Sequence, residues 1–109
     1  MTQFEVWDYD FQQKEAGVHP CVLISHPDAY RSRFINVLYC TSQRQSRLIT
    51  EIEVLLDVED GFNWQTFCNC SIFWSIERRD LLRRRGHVTI ERRRAIQEKI
   101  RAIFLERFY

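Results

Sequence analysis

Two short stretches of this chain carry groups that can handle a phosphodiester. Gly17-Val18-His19-Pro20-Cys21-Val22-Leu23-Ile24-Ser25 places an imidazole where a turn feeds an apolar run. Phe34-Ile35-Asn36-Val37-Leu38-Tyr39-Cys40 is a second apolar run, and it ends in two hydroxyls, Thr41 and Ser42. An imidazole with an ordinary pKa of about 6.5 can serve as general acid or base near neutral pH. Hydroxyls and guanidiniums can hold the charged phosphate. Arg44 and Arg47 follow the hydroxyls in a polar loop and are the candidate cations. Trp64, in a turn, is the candidate surface for stacking on a base. Each has a plainer reading beside the chemical one. His19 is then a turn histidine, Thr41 and Ser42 are strand-end turn residues, and the arginines belong to a solvated loop.

The elements that must position these groups follow from local pattern. Pro20 stands where a strand still tolerates a missing N–H, so residues 20–25 read as a strand entered from a loop. Residues 34–41 read as the next strand. If the two pair antiparallel, His19 and Thr41-Ser42 fall on the same side of the sheet. Residues 3–9 alternate apolar and polar until Trp7, which predicts a first strand with a bulge or twist there. His26 to Tyr30 reads as a turn or a single helical turn. Residues 48–57 alternate, Ile52 and Val54 against Glu51 and Glu53, which predicts a strand with one wet face. Residues 65–76 are β-rich in their second half. Asp80-Leu81-Leu82 starts a short helical or turn segment, Gly86 punctuates it, and His87-Val88 suggests a small strand. Thr89 is a good N-cap, with Glu91 in the first turn. Ile90, Ile96, Ile100, Ile103, Phe104 and Phe108 recur mostly at threes and fours, the stripe of a helix of about five turns. Short strands and one terminal helix predict a mainly β fold: a small twisted barrel, a short helical turn and a C-terminal α-helix.

The bulk composition narrows the classes. A chain of 109 residues makes one domain, residues 1–109, with a core large enough to fold without staples. No apolar run approaches the roughly 20 residues of a membrane span, and the first residues lack a leader pattern. Cys21, Cys40, Cys68 and Cys70 show no zinc-type spacing, which predicts reduced, buried thiols and a cytoplasmic setting. Three glycines exclude a phosphate-binding Gly-rich loop. Residues 1–76 carry 5 basic and 10 acidic side chains, whereas residues 77–109 carry 11 and 5. The basic third therefore reads either as a patch for phosphates or an acidic partner, or as a solvated helix face beside an acidic sheet.

The order of these features resembles the PemK/MazF family of toxin endoribonucleases from type II toxin–antitoxin pairs. Phe4-Glu5-Val6-Trp7 is similar to the family's opening strand, usually G-[DE]-[IV]-W. The stretch from Gly17 to Ser25 is similar to G-x-R-P-V-L-V-[IVL]-S, with His19 at the Arg position. Asp28-Ala29-Tyr30, Thr41-Ser42, and Ser75-Ile76-Glu77 through Leu82 and Gly86 match the later segments in order. Around Cys70 the family pattern x-C-D-Q is replaced by Asn69, Ser71 and Ile72.

The resemblance implies an SH3-like barrel that dimerises and a metal-independent cleavage of single-stranded RNA. It implies attack by the 2′-hydroxyl on the adjacent phosphate, no cofactor and no metal. The partners it implies are RNA, a small antitoxin protein and a second copy of the chain, with no membrane. By position it implies His19, Thr41 and Ser42 as catalytic, and Glu15, Asn69 and Ser71 beside Arg44, Arg47 and Trp64 on the RNA. Two alternatives stand beside this reading. One is a catalytically degenerate RNA- or protein-binding module on the same barrel. The other is a gyrase-poisoning toxin of the related fold.

Overall fold

Strand alternation sorts this chain onto two faces of one sheet. The computed structural model describes residues 1–12, 17–42 and 47–106. Its strands are β1 (Glu5–Asp10), β2 (Val18–Leu23), β3 (Phe34–Ser42), β4 (Glu53–Leu56), β5 (Thr66–Glu77) and β6 (Arg83–His87), followed by the helix α1 (Ile90–Phe104). They form one antiparallel sheet in the order β4-β5-β3-β2-β1-β6, a curled half-barrel with α1 against β4 and β5. The expected short helical turn is the 3₁₀ segment Pro27–Arg31.

Pro20 lies inside β2 and is paired with Asp8 of β1, while the β3 ladder begins only at Cys21. The missing N–H thus falls beyond that second ladder. His19, expected in the loop, is a strand residue opposite Tyr9. The irregularity expected near Trp7 is present, as a register shift between Val6 and Trp7 against β6.

On the helix side, Val6, Val22, Leu38, Cys40, Leu56, Cys68, Cys70, Val88 and Ile96 are fully buried together. On the other side, Phe11, Cys21, Leu23, Tyr30, Ile35, Val37 and Ile76 form a second cluster, edged by Trp7, Tyr9, Tyr39 and Trp74. All four cysteines are free thiols and buried. Burial pushes the Cys21 thiol up to about 12.

Three expectations change. The strand predicted at 48–57 is only Glu53–Leu56, and Glu53 is buried rather than wet, because Arg47 closes on it. The run Arg83-Arg84-Arg85 is a strand, not a helix face. It lies against the acidic β1, with Arg83 and Arg85 each 3.3 Å from Asp8 and Arg84 3.4 Å from Glu5. The helix is 15 residues long, and Ile90 at its start is exposed while Ile96 is sealed.

The root of α1 is tied down by Asp60, a fully buried carboxylate. Asp60 accepts from the Thr89 N–H at 2.9 Å, the Asp57 N–H at 3.0 Å and the Arg92 guanidinium at 2.6 Å. Beside it, Gly61 (φ +101°) lies so close to β6 that a Cβ there would stand 2.7 Å from the Arg85 carbonyl oxygen. A Cβ on Gly86 would in turn meet the Gly61 Cα at 2.8 Å. Phe4 holds φ +70°, a left-handed conformation that costs about 1–2 kcal/mol in a residue with a Cβ. Burial of its ring among the helix-side apolar residues offsets that cost.

Candidate functional site

The β2–β3 ladder pairs Cys21 with Tyr39. Two residues outward on each strand, His19 and Thr41 emerge on the face away from α1. They share this face with Tyr39, because side chains of alternate strand residues point the same way. The Tyr39 hydroxyl lies 3.2 Å from both ring nitrogens of His19 and also bonds the Thr41 hydroxyl. Burial raises the Tyr39 phenol above its ordinary pKa, and the Thr41 bond only partly offsets this. At neutral pH the phenol is therefore an uncharged O–H that can relay between imidazole and hydroxyl.

Sequence reasoning missed Tyr39. Its signal was present: it stands two residues before Thr41 and so must share Thr41's face. Opposite Tyr39 the β3–β5 register slips, from Leu38 with Phe73 to Cys40 with Cys68. Asn69 and Ser71 lie in that bulge. The Asn69 side-chain amide oxygen Oδ1 accepts from the Ser71 N–H at 2.8 Å and the Ser71 hydroxyl at 2.6 Å. The two side chains shape the bulge, and bulges commonly re-aim side chains beside a site.

Ser42 does not join Thr41. One residue further along β3, it falls on the opposite face, with Cys40. Arg47 is near the constellation but committed. It makes a two-pronged pair with Glu53 at 2.8 and 2.7 Å, and its guanidinium sits 3.8 Å over the Phe67 ring. Phe67 is the cross-strand partner of Thr41, so this cation borders the hydroxyl. The Arg47 bonds, with further donation from Thr50, hold the Glu53 carboxyl at about 2 against an ordinary 4.5. Trp64 is exposed in the turn before β5. Glu15 and Arg44 lie outside the described residues.

The wall beside His19 is aromatic. The buried Phe11 ring meets Tyr9, Tyr39 and Trp74 edge-on at 4.7, 5.0 and 5.2 Å. Among the described residues, no cluster of three or more His, Cys, Asp or Glu side chains is arranged to hold a metal ion. Among them, too, no helix is long and apolar enough to cross a membrane.

Comparison with known proteins gives the arrangement a context. The family model for the PemK-like, MazF-like toxin of type II toxin–antitoxin systems matches residues 2–104. No curated protein matches the chain at a significant level. Among solved structures, an endoribonuclease in complex with its cognate antitoxin from a mycobacterial species superposes with a TM-score of 0.79 at 15% identity. That match covers 100% of this chain and 98% of the other. The Mycobacterium tuberculosis toxin MazF-mt6 gives 0.76 at 18% identity, over 92% and 95% of the two chains. A MazE–MazF structure from Deinococcus radiodurans gives 0.69 at 14% identity, over 95% and 93%. At these identities the likeness is one of fold.

Proposed function

This chain belongs to the PemK-like, MazF-like toxins of type II toxin–antitoxin systems, and from that premise we propose that it cleaves single-stranded RNA without a metal. The observation that carries the reading is the His19–Tyr39–Thr41 relay on the open face of the sheet. In the proposed reaction the 2′-oxygen forms a bond to the adjacent phosphorus, and the bond to the 5′-oxygen breaks. The products are a 2′,3′-cyclic phosphate and a 5′-hydroxyl. His19 takes the 2′-hydroxyl proton, and a proton returns to the leaving 5′-oxygen. The Tyr39 O–H orients the imidazole. The Thr41 hydroxyl and the bordering Arg47 face the phosphate oxygens. A small antitoxin protein would restrain this activity in the cytoplasm, and a second copy of the chain would complete a homodimer.

One observation favours a second reading, a binding module without catalysis. The arginine bordering Thr41 is already neutralised by Glu53, and a phosphate must compete for it. The test is incubation of the purified protein with mixed RNA in EDTA, followed by mapping of the ends. Cyclic-phosphate and 5′-hydroxyl ends that disappear in His19→Ala support the nuclease. Bound but uncut RNA sinks it and leaves the binding module.

A further inference from the structure

Arg47 stands in line with the relay. Tyr9 pairs with His19, and the β2–β3 ladder, continued two residues beyond Cys21 and Tyr39, brings His19 level with Thr41. Thr41 pairs with Phe67, and Phe67 with Leu55 of β4. This row crosses the sheet on its open face, and the Arg47 guanidinium lies over the Phe67 ring at 3.8 Å. With neighbouring strands about 4.8 Å apart, the cation stands one strand from Thr41 and about 10 Å from the strand of His19.

Glu53 is what keeps it there. Two residues along β4 from Leu55, its buried carboxylate shares that face. It accepts from Nη1 at 2.8 Å and from Nη2 at 2.7 Å, while Nη1 also donates to the Leu48 carbonyl at 3.2 Å. The acceptor is itself fixed: the Thr50 N–H and hydroxyl donate to its Oε1 at 3.1 and 2.8 Å. Arg92 and Asp57 make the same two-pronged contact, and there it fastens the root of α1. Arg47 carries no helix. What its pair fastens is a cation beside the Thr41 hydroxyl.

The pair acts on RNA in two opposite ways. At long range the carboxylate cancels the charge of the guanidinium and weakens its pull on a phosphate. At hydrogen-bond range it helps, because a guanidinium already held in one orientation loses no rotamer freedom when the phosphate arrives. Swinging Arg47 away would uncover Phe67 and leave a buried carboxylate without its cation, so the pair stays closed. Resting on the endoribonuclease reading, we infer that Glu53 is a positioning residue: it holds the Arg47 guanidinium on the Phe67 ring, beside Thr41, where a phosphate oxygen of the bound RNA meets it.

Glu53→Gln keeps the shape of the side chain and removes its charge. Binding is read by fluorescence anisotropy on 2′-O-methyl RNA heptamers of mixed sequence, which lack the attacking hydroxyl and cannot be cut. Each variant is assayed where circular dichroism shows it folded. Charge alone would make Glu53→Gln bind tighter. Positioning makes it bind about tenfold weaker, the size of one charge-assisted hydrogen bond, with a matching fall in kcat/KM on ordinary RNA. Arg47→Lys keeps the charge, loses the fork and should lose the same tenfold. The double variant should bind no more weakly than either single one. Tighter or unchanged binding by Glu53→Gln makes the carboxylate a brake or a merely structural partner and overturns the inference, as do losses that add. If Glu53→Gln does not fold, Arg47→Lys decides, and full affinity there overturns it. A wild type that binds the heptamers and cuts no RNA ends the nuclease reading but leaves this comparison readable.

Discussion

The two faces of the sheet are made from the same strands, one residue out of step. Toward α1 stand Val22, Leu38, Cys40, Cys68 and Cys70, all sealed from solvent under Ile96. Away from it stand Cys21, Leu23 and Val37, also sealed, and then Tyr9, Tyr39 and Trp74, only partly covered. A face roofed by a helix can be purely apolar. A face without a roof needs side chains with apolar bodies and polar tips, and phenol, indole and imidazole are of that kind. The chemistry-bearing groups therefore gather where the helix is absent. A slip of one residue in β2 or β3 would exchange the two sets.

The sharpest break of this comparison is chemical. His19→Ala should lower the rate of RNA cleavage at least about 100-fold with little change in melting temperature. The wild-type rate should also depend on pH through the imidazole, and that dependence should be absent in His19→Arg. An unaltered rate in His19→Ala would remove the open face from the chemistry.

On the roofed face the loss is one of stability. Ile96→Ala should cost about 2–5 kcal/mol in chemical denaturation. Ile100→Ala, at a half-buried position, should cost less, about 1–2 kcal/mol. Equal costs would mean that the helix seats differently.

Acid probes the rim of the open face. The folded pKa of Glu53 is lowered, from 4.5 to about 2. Its contribution is therefore complete above about pH 4.5 and is lost as pH falls toward 2. At 1.36 kcal/mol per unit this is on the order of 3 kcal/mol. Glu53→Gln should flatten the stability profile in that window; an unchanged slope would put the acid sensitivity elsewhere.

The smallest contrast is between neighbours. Thr41→Ala should slow cleavage roughly two- to tenfold, the size of one hydrogen bond. Ser42→Ala, on the other face, should leave the rate unchanged. Equal effects would mean that alternation does not separate the two hydroxyls.

Local pattern made part of this legible. The apolar runs around Val22 and Val37, and the threes and fours from Ile96 to Ile103, each declare their element within a few residues. Residues whose meaning depends on a distant partner did not declare themselves. The Arg83-Arg84-Arg85 run gives no sign of being a strand until Glu5 and Asp8 lie beside it. Glu53 reads as solvated until Arg47 folds over it. Asp60 looks like a turn residue, and only the start of α1 shows why it is buried. Of the site, His19 and Thr41 could be read from residue type and position. The hydroxyl that joins them was signalled only by its place two residues before Thr41; its meeting with His19 across the β2–β3 ladder needed the fold.

The contact between Gly61 and Gly86 has a consequence for motion. The sheet has two edges, β4 and β6, and edge strands ordinarily fray first. At β6 the backbone is pressed against Gly61 with no side chain between, and the neighbouring Asp60 grips the first turn of α1. Peeling β6 away must therefore disturb the seat of the helix, and β4 shares that seat, because α1 packs against it and Asp57, just after it, grips Arg92. The two margins should breathe on one clock: in amide hydrogen exchange β6, β4 and the root of α1 open together, as one cooperative unit.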